Sequence, residues 1–180
     1  MTMVEAYNTD TPPVEIIASD IDTNVLGQAE RGVYALDRLT SVSDRRRARF
    51  FQRGSGPNAG FARVRPQLQT LIDYRQINLQ SEQWPIPSGV DVIICRNVLI
   101  YFQAPLQNRI VRRFGSLLAP HGLLITGHSE NITSATDIFQ SLGQTVYRPH
   151  DGAPSTHSPR TGRQTNTVAL DAGSNCYRGL

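Results

Sequence analysis

The sequence predicts an α/β fold built on a mainly parallel sheet that helices cover on both faces. Short apolar segments typical of buried strands, VEIIAS (14–19), DVIIC (91–95) and GLLITG (122–127), alternate along the chain with segments of helical spacing. A helix between two strands returns the chain to the same end of the sheet, so such strands run parallel. The 180 residues, 39% of them hydrophobic, are enough for one domain with its own core.

In the first half of the chain, capping residues and turn residues mark where the predicted helices and strands begin and end. After the strand at 14–19, DIDTNVLGQAERG predicts a helix that Asp22 or Thr23 can cap and Gly32 can end. Ser43 can cap the basic helix DRRRARFFQR that follows. Glycines and a proline within 54–60 require a turn. FARVRPQL and LIDYRQINL then predict two strands, the first in a small, exposed antiparallel piece.

The second half continues the alternation of strand and helix. PLQNRIVRRFGSLL predicts a helix with Pro105 in its first turn, because its apolar residues share one face: Leu106, Ile110, Phe114, Leu117 and Leu118. The strand GLLITG follows, and IFQSLGQTVYRP predicts a final hairpin around Gly143.

The two ends of the chain differ in composition from the middle. Residues 1–13 are polar and contain two prolines, which predicts a flexible N-terminus. After residue 148 the chain is rich in Pro, Ser, Thr, Gly, Asn and Arg, which predicts a disordered tail over 149–180. The folded domain is therefore predicted over 14–148, with a β-subdomain at about 50–74.

Composition also limits the functional classes. With neither a run of 18 apolar residues nor a secretory signal at the start, the sequence predicts no membrane insertion and a cytoplasmic location. Cys95 and Cys176 lie in unlike contexts, which predicts neither a disulfide framework nor a metal site. The arginines between 45 and 65 form a basic patch, but the patch lacks the interleaved aromatic residues typical of nucleic-acid binding.

Polar residues follow three of the predicted strands, at the edge where ligands of doubly wound sheets collect. Asp20 and Asp22 follow the first strand, and a carboxylate there suits a ribose diol because each oxygen can accept from one hydroxyl. Asn78 follows a second strand and can pair with an adenine edge. Arg96 and Asn97 follow DVIIC. The alternative for the two aspartates is simple capping of the next helix.

Five segments together resemble a known family: ASDIDTNVLGQAERGVY, RFFQRGSGP, QINL, CRNVLIYF and LLITGHSEN. The sequence resembles the CheR-type chemotaxis receptor methyltransferases from about Val14 to Arg148. The resemblance implies a Rossmann-like methyltransferase sheet with a small antiparallel β-subdomain and S-adenosylmethionine as cofactor. It also implies methylation of glutamate side chains on the cytoplasmic domain of chemoreceptors, which resets signalling during chemotaxis.

The same resemblance implies roles for individual residues. Asp20 matches the ribose-binding acid, and Asn78 with Leu79 matches contacts to the adenine side of the cofactor. Arg96 and Asn97 match residues that line the cofactor pocket, and Tyr101 matches an aromatic residue beside the transferred methyl. Arg96 and Tyr101 are thus the predicted catalytic residues, and we expect His128 to orient its loop rather than act as a base.

A second surface is implied by members of the family that bind a peptide at the receptor C-terminus. The turn of Gly54, Ser55 and Gly56 matches their Gly-x-Gly turn, and Arg63 and Arg65 are placed to bind the acidic end of such a peptide. A plain hairpin turn is the alternative.

The sequence departs from the family before Asp20. A first strand with a glycine-rich turn is expected there, but the first glycine is Gly27. This predicts an N-terminally truncated sheet in which the strands ending at Ser19 and Cys95 either expose their edges or pair directly. We therefore expect impaired methylation by this chain, and a noncatalytic fragment that binds the receptor peptide is the alternative.

Overall fold

The computed structural model describes residues 1–130, 132, 135–150 and 166–171. The helices are α1 (Thr2–Tyr7), α2 (Thr23–Arg31), α3 (Asp44–Phe50), α4 (Pro66–Gln69) and α5 (Ala104–Leu117). The strands are β1 (Val14–Asp20), β2 (Val33–Ala35), β3 (Phe51–Arg53), β4 (Phe61–Val64), β5 (Ile72–Gln76), β6 (Val90–Cys95), β7 (Leu118–Thr126), β8 (Phe139–Gly143), β9 (Val146–Pro149) and β10 (Asn166–Asp171).

The described residues form one large sheet and one small sheet. The large sheet has seven strands in the order β5-β1-β10-β6-β7-β9-β8, and its first five strands run parallel. β9 and β8 close it as an antiparallel hairpin that turns at Gly143, as predicted. The predicted α/β class with a mainly parallel sheet is confirmed.

Helix α2 begins and ends at the positions that its capping residues predict. The side chain of Asp22 accepts a hydrogen bond from the Asn24 amide at 2.8 Å, and Gly32 ends the helix with a φ of 61°. A left-handed residue at this position favours glycine, because a Cβ would be strained there. Asp22, rather than Thr23, is therefore the cap.

The small sheet is antiparallel in the order β2-β4-β3. It confirms the predicted β-subdomain, but two element boundaries differ from the sequence prediction. The basic helix α3 stops at Phe50, and the next three residues form β3. Strand β4 stops at Val64 because Pro66 has no N–H to donate to a ladder and instead begins the short α4.

Helix α5 packs its apolar face on the large sheet and buries the main core. Ile110, Val111 and Phe114 lie in one cluster with strand residues that include Ile93 and Leu124. Each such side chain contributes about 1.5–3 kcal/mol when fully buried. The same cluster contains residues from the segments that follow β6 and β7, so it helps to hold these segments in place.

The N-terminus differs from the flexible start that its composition predicts. Residues 2–7 form α1, and Val4 is fully buried in a second cluster with Phe50 and Leu68. Both oxygens of Glu5 accept hydrogen bonds from the guanidinium of Arg46 on α3. This helix is thus held against α3 by an apolar contact and an ion pair.

Most of the segment predicted as a disordered tail lies outside the described residues, but one part of it forms a strand. Within it, residues 166–171 form β10, which lies between β1 and β6 and runs parallel to both. The strands ending at Ser19 and Cys95 therefore neither pair with one another nor leave open edges, contrary to the expectation from the sequence. The bounds of the predicted domains otherwise stay predictions.

Within the described residues, no helix combines the length and apolar character needed to cross a bilayer.

Candidate functional site

Three predicted residues lie at the carboxyl ends of the parallel strands. Asp20 ends β1, and its backbone carbonyl accepts from the Ile77 amide at 3.1 Å, which ties the end of β1 to the segment that carries Asn78. Arg96 follows β6, two strand positions away from β1. That separation is about 10 Å at ordinary strand spacing, which is the scale of a nucleoside.

Asp20 is a buried carboxylate with one oxygen to spare. The residue is 3% exposed, and its Oδ1 accepts from the Asp22 amide at 2.9 Å. Its Oδ2 is buried and has no hydrogen-bond partner among the described residues. Because Asp22 already caps α2, helix capping does not account for Asp20. A buried acceptor without a donor is costly, so this oxygen suits a hydroxyl donor supplied by a ligand.

Asn78 and Leu79 lie beside Asp20 after β5. Asn78 is exposed, and its Oδ1 accepts from the Gln80 amide at 2.9 Å, which shapes a tight turn. This bond leaves a ligand-binding role to the NH2 group of the side chain. Leu79 is half-buried against the main core and so supplies an apolar surface at the same edge.

Arg96, Asn97 and Tyr101 lie on the loop after β6. Arg96 and Asn97 are exposed, and Asn97 has a φ of 62°, in the left-handed region. Asn tolerates this conformation better than most residues, so the polar residue both ends the strand and turns the chain. Tyr101 is 60% exposed at the end of the 3-10 turn Leu99–Tyr101.

Glu130 holds this loop in place, and the sequence analysis did not single it out. Its Oε1 accepts from the amides of Val98 and Leu99, each at 2.7 Å. Its Oε2 accepts from the amides of Asn97 at 2.9 Å and Gly127 at 2.6 Å. The residue is 5% exposed, so four charge-assisted bonds inside the protein replace its solvation.

Gly127 is required next to this carboxylate. A Cβ on Gly127 would lie 2.7 Å from Glu130 Oε2 and 2.8 Å from Asn97 Oδ1. The GHSEN segment was a signal in the sequence, but its buried acid was overlooked there in favour of His128. Glu130 thus ties the start of the loop after β7 to the loop after β6 through these hydrogen bonds.

The turn predicted to bind a receptor peptide lies at the end of β3. A methyl group on Gly54 would overlap the Asn58 carbonyl, and Gly56 has a φ of 56°, so both positions require glycine. Ser55 is exposed between them. Strand β3 is an edge of the small sheet and has one side unpaired within the described residues.

The two arginines assigned to this surface differ in their surroundings. Arg63 is exposed in the middle of β4, in register with Gln52 on the edge strand. Arg65 is half-buried, its amide donates to the Phe50 carbonyl at 2.9 Å, and its Nε has no partner among the described atoms. Arg63 is therefore the more accessible of the two.

An apolar cavity of about 470 Å³ lies away from these residues, between the small sheet and the outer strands of the large one. Its walls include Ile16, Tyr34, Leu68 and Ile72. None of the predicted site residues lines this cavity, so its size does not identify it as the cofactor site.

A parallel sheet with a buried acid at the end of one strand and polar groups at the ends of its neighbours defines a Rossmann-like nucleotide-binding class. The family model for the SAM-binding domain of CheR methyltransferases matches residues 1–148. The chain belongs to this family, and S-adenosylmethionine is the cofactor that the family description names. The predicted fold class and family are confirmed.

Curated relatives agree with this assignment. The chain is 51% identical over 149 residues to Chemotaxis protein methyltransferase 2 of Pseudomonas aeruginosa, an alignment that covers 83% of this chain and 53% of the relative. It is 42% identical over 147 residues to the Chemotaxis protein methyltransferase of Escherichia coli, covering 82% of this chain and 51% of the relative. The chain spans about half the length of the curated relatives it matches.

Proposed function

We propose that this chain binds S-adenosylmethionine at the carboxyl edge of its large sheet and serves methylation of glutamate side chains on chemoreceptors. The observation that carries the proposal is the buried, unpartnered Oδ2 of Asp20. Family membership and the names of the relatives support the same reaction class. A cytoplasmic site of action is part of the proposal.

The residues at the edge fit the cofactor. Asp20 accepts from ribose hydroxyls, and the NH2 group of Asn78 and the apolar side chain of Leu79 face the adenine. Arg96 and Asn97 border the other side of the site. When bound, S-adenosylmethionine supplies an activated methyl group on a positively charged sulfur.

The reaction needs alignment more than base catalysis. A glutamate side chain has a pKa of about 4.3 and is already ionised near neutral pH. Positioning and desolvation of that carboxylate therefore provide most of the acceleration. Arg96 orients the carboxylate through paired hydrogen bonds, and Tyr101 restricts its approach.

The small sheet supports a partner proposal. An extended receptor peptide adds as a strand to the free side of β3, next to the turn at Gly54–Gly56. Arg63, which is exposed on the adjacent strand, binds an acidic residue or the terminal carboxylate of the peptide. Arg65, which is half-buried beside it, contributes a second positive charge to the same peptide-binding surface.

Calorimetric titration of the full chain with S-adenosylmethionine tests the cofactor part of the proposal. Binding that is competed by S-adenosylhomocysteine supports it, and absence of binding to the folded chain contradicts it. Transfer of a radiolabelled methyl group to receptor-containing membranes then tests the reaction. Peptide binding without transfer would favour the noncatalytic alternative.

A further inference from the structure

Residues 166–171 form an inner strand of the large sheet, paired on both sides. β10 pairs with β1 from Val14–Asn166 to Ser19–Asp171, and with β6 from Val92–Val168 to Cys95–Asp171. Within the described residues, β1 has β5 as its other neighbour and β6 has β7. Without β10, the sheet would consist of a two-stranded part and a four-stranded part, each with an unpaired inner edge.

The chain can reach this position without crossing the sheet. β9 runs antiparallel to β7, so it ends at the amino edge of the parallel strands, where β10 begins. Only β6 and β7 separate β9 from β10, a distance of about 14 Å at ordinary strand spacing. Residues 151–165 can extend to about 50 Å, so the connection is long enough.

The segment also has a sequence suited to a strand. NTVALD contains Val168 and Leu170 separated by one residue, within a stretch of the chain otherwise rich in Pro, Ser, Gly and Arg. Valine and threonine favour extended backbone, and no proline interrupts the six residues. The six residues are therefore more typical of a strand than the polar sequence on either side of them.

We propose that the gap between β1 and β6 is a strand-acceptor site and that the chain's own residues 166–171 fill it, completing the carboxyl edge. The register pairs Asp171 with Ser19 on β1 and with Cys95 on β6. Asp20 and Arg96 are the next residues along these two neighbouring strands. The segment thus joins the two halves of the candidate site. The pairing consists of backbone hydrogen bonds within the sheet and does not depend on the proposed methylation.

Disulfide trapping tests the register directly. Cys95 is a buried thiol in register with Asp171, and paired positions of parallel strands project from the same face at a separation within disulfide range. In the full chain with Cys176→Ser, the variant Asp171→Cys is oxidised, and Ser174→Cys, beyond the last register pair, is the matched control. The proposal predicts a monomeric crosslink at 171 that forms at least tenfold faster than at 174.

Equal rates at the two positions, no crosslink at 171, or a crosslink that joins two copies would each overturn the proposal. A second measurement does not rely on the new cysteine. Ala169→Pro removes one ladder donor, and Thr161→Pro places the same residue within the connection outside the paired positions.

Hydrogen exchange of the two proline variants then reports on the neighbours of β10. The proposal predicts that Ala169→Pro speeds amide exchange in Ile16–Ser19 and Val92–Cys95 by about tenfold or more, whereas Thr161→Pro does not. Unchanged exchange in the β2-β4-β3 sheet shows that the chain stays folded. Unchanged exchange in β1 and β6 of Ala169→Pro would overturn the proposal.

Discussion

Two buried carboxylates lie at the same edge of the large sheet and differ in how their oxygens are used. Asp20, at the end of β1, is 3% exposed and accepts one hydrogen bond on Oδ1, while Oδ2 has no partner within the described part of the chain. Glu130, after β7, is 5% exposed and accepts four hydrogen bonds from backbone amides.

The difference separates an acid whose oxygens are filled by the fold from an acid with one oxygen left without a partner. A carboxylate whose acceptor sites are filled by the fold stabilises the loops around it and offers nothing to a ligand. A buried carboxylate with an unused oxygen lowers stability until a donor arrives, so we propose that Asp20 binds a ligand through Oδ2. Burial alone would not have distinguished the two, and the hydrogen-bond partners do.

The largest effect on stability is expected for Glu130→Gln. The new NH2 group replaces one acceptor and faces the Asn97 and Gly127 amides, which then lack a partner. We expect the free energy of unfolding to fall by about 2–4 kcal/mol. Urea denaturation measures this change, with the exposed Glu82→Gln as matched control. A loss no larger than that of the control would show that the four hydrogen bonds of Glu130 do not stabilise the fold.

Asp20→Asn should show the opposite pattern. The variant keeps an oxygen for the Asp22 amide, so the free energy of unfolding should change by less than about 1 kcal/mol. Affinity for S-adenosylmethionine should fall about 100-fold, or about 2.7 kcal/mol, because a charged acceptor for the ribose is lost. Calorimetry measures the loss, and Asp22→Asn is the control, since Asn also caps helices. A stability loss equal to that of Glu130→Gln would contradict the distinction.

The contrast also shows how far the sequence could predict the site. Asp20 is predictable because its position depends only on a strand ending and a helix beginning, and the caps Asp22 and Gly32 are equally local. Glu130 was missed because its partner Asn97 lies 33 residues away and no local pattern links them. β10 was missed because pairing of distant parallel strands leaves no periodic signal in a segment that short.

A smaller effect is expected at Asn97, an exposed residue after β6 whose amide donates to Glu130. Its φ of 62° disfavours residues with a Cβ other than Asn or Asp. Asn97→Ala should lower the free energy of unfolding by about 1 kcal/mol, and Asn97→Gly should cost less because glycine adopts this conformation readily. Urea denaturation of both variants measures the difference. Equal losses would show that backbone strain is not the cause.

The smallest effect is expected for the half-buried carboxylate of Glu5. The hydrogen bond from Arg46 lowers the pKa of Glu5 in the folded state. Its contribution is therefore present above the unfolded pKa and is lost as pH falls through the folded pKa. Glu5→Gln should lower the melting temperature slightly at pH 7 and not at pH 2. A difference that persists at pH 2 would contradict this origin.

We propose that the unused oxygen of Asp20 accepts from a ribose hydroxyl of the cofactor. Calorimetry of wild type and Asp20→Asn with S-adenosylmethionine and with its 2′-deoxy and 3′-deoxy analogues measures this hydrogen bond. We expect the removal of one of the two hydroxyls to weaken binding to the wild type by about tenfold or more, and to have much less effect on the variant. Equal losses for both proteins with both analogues would contradict it.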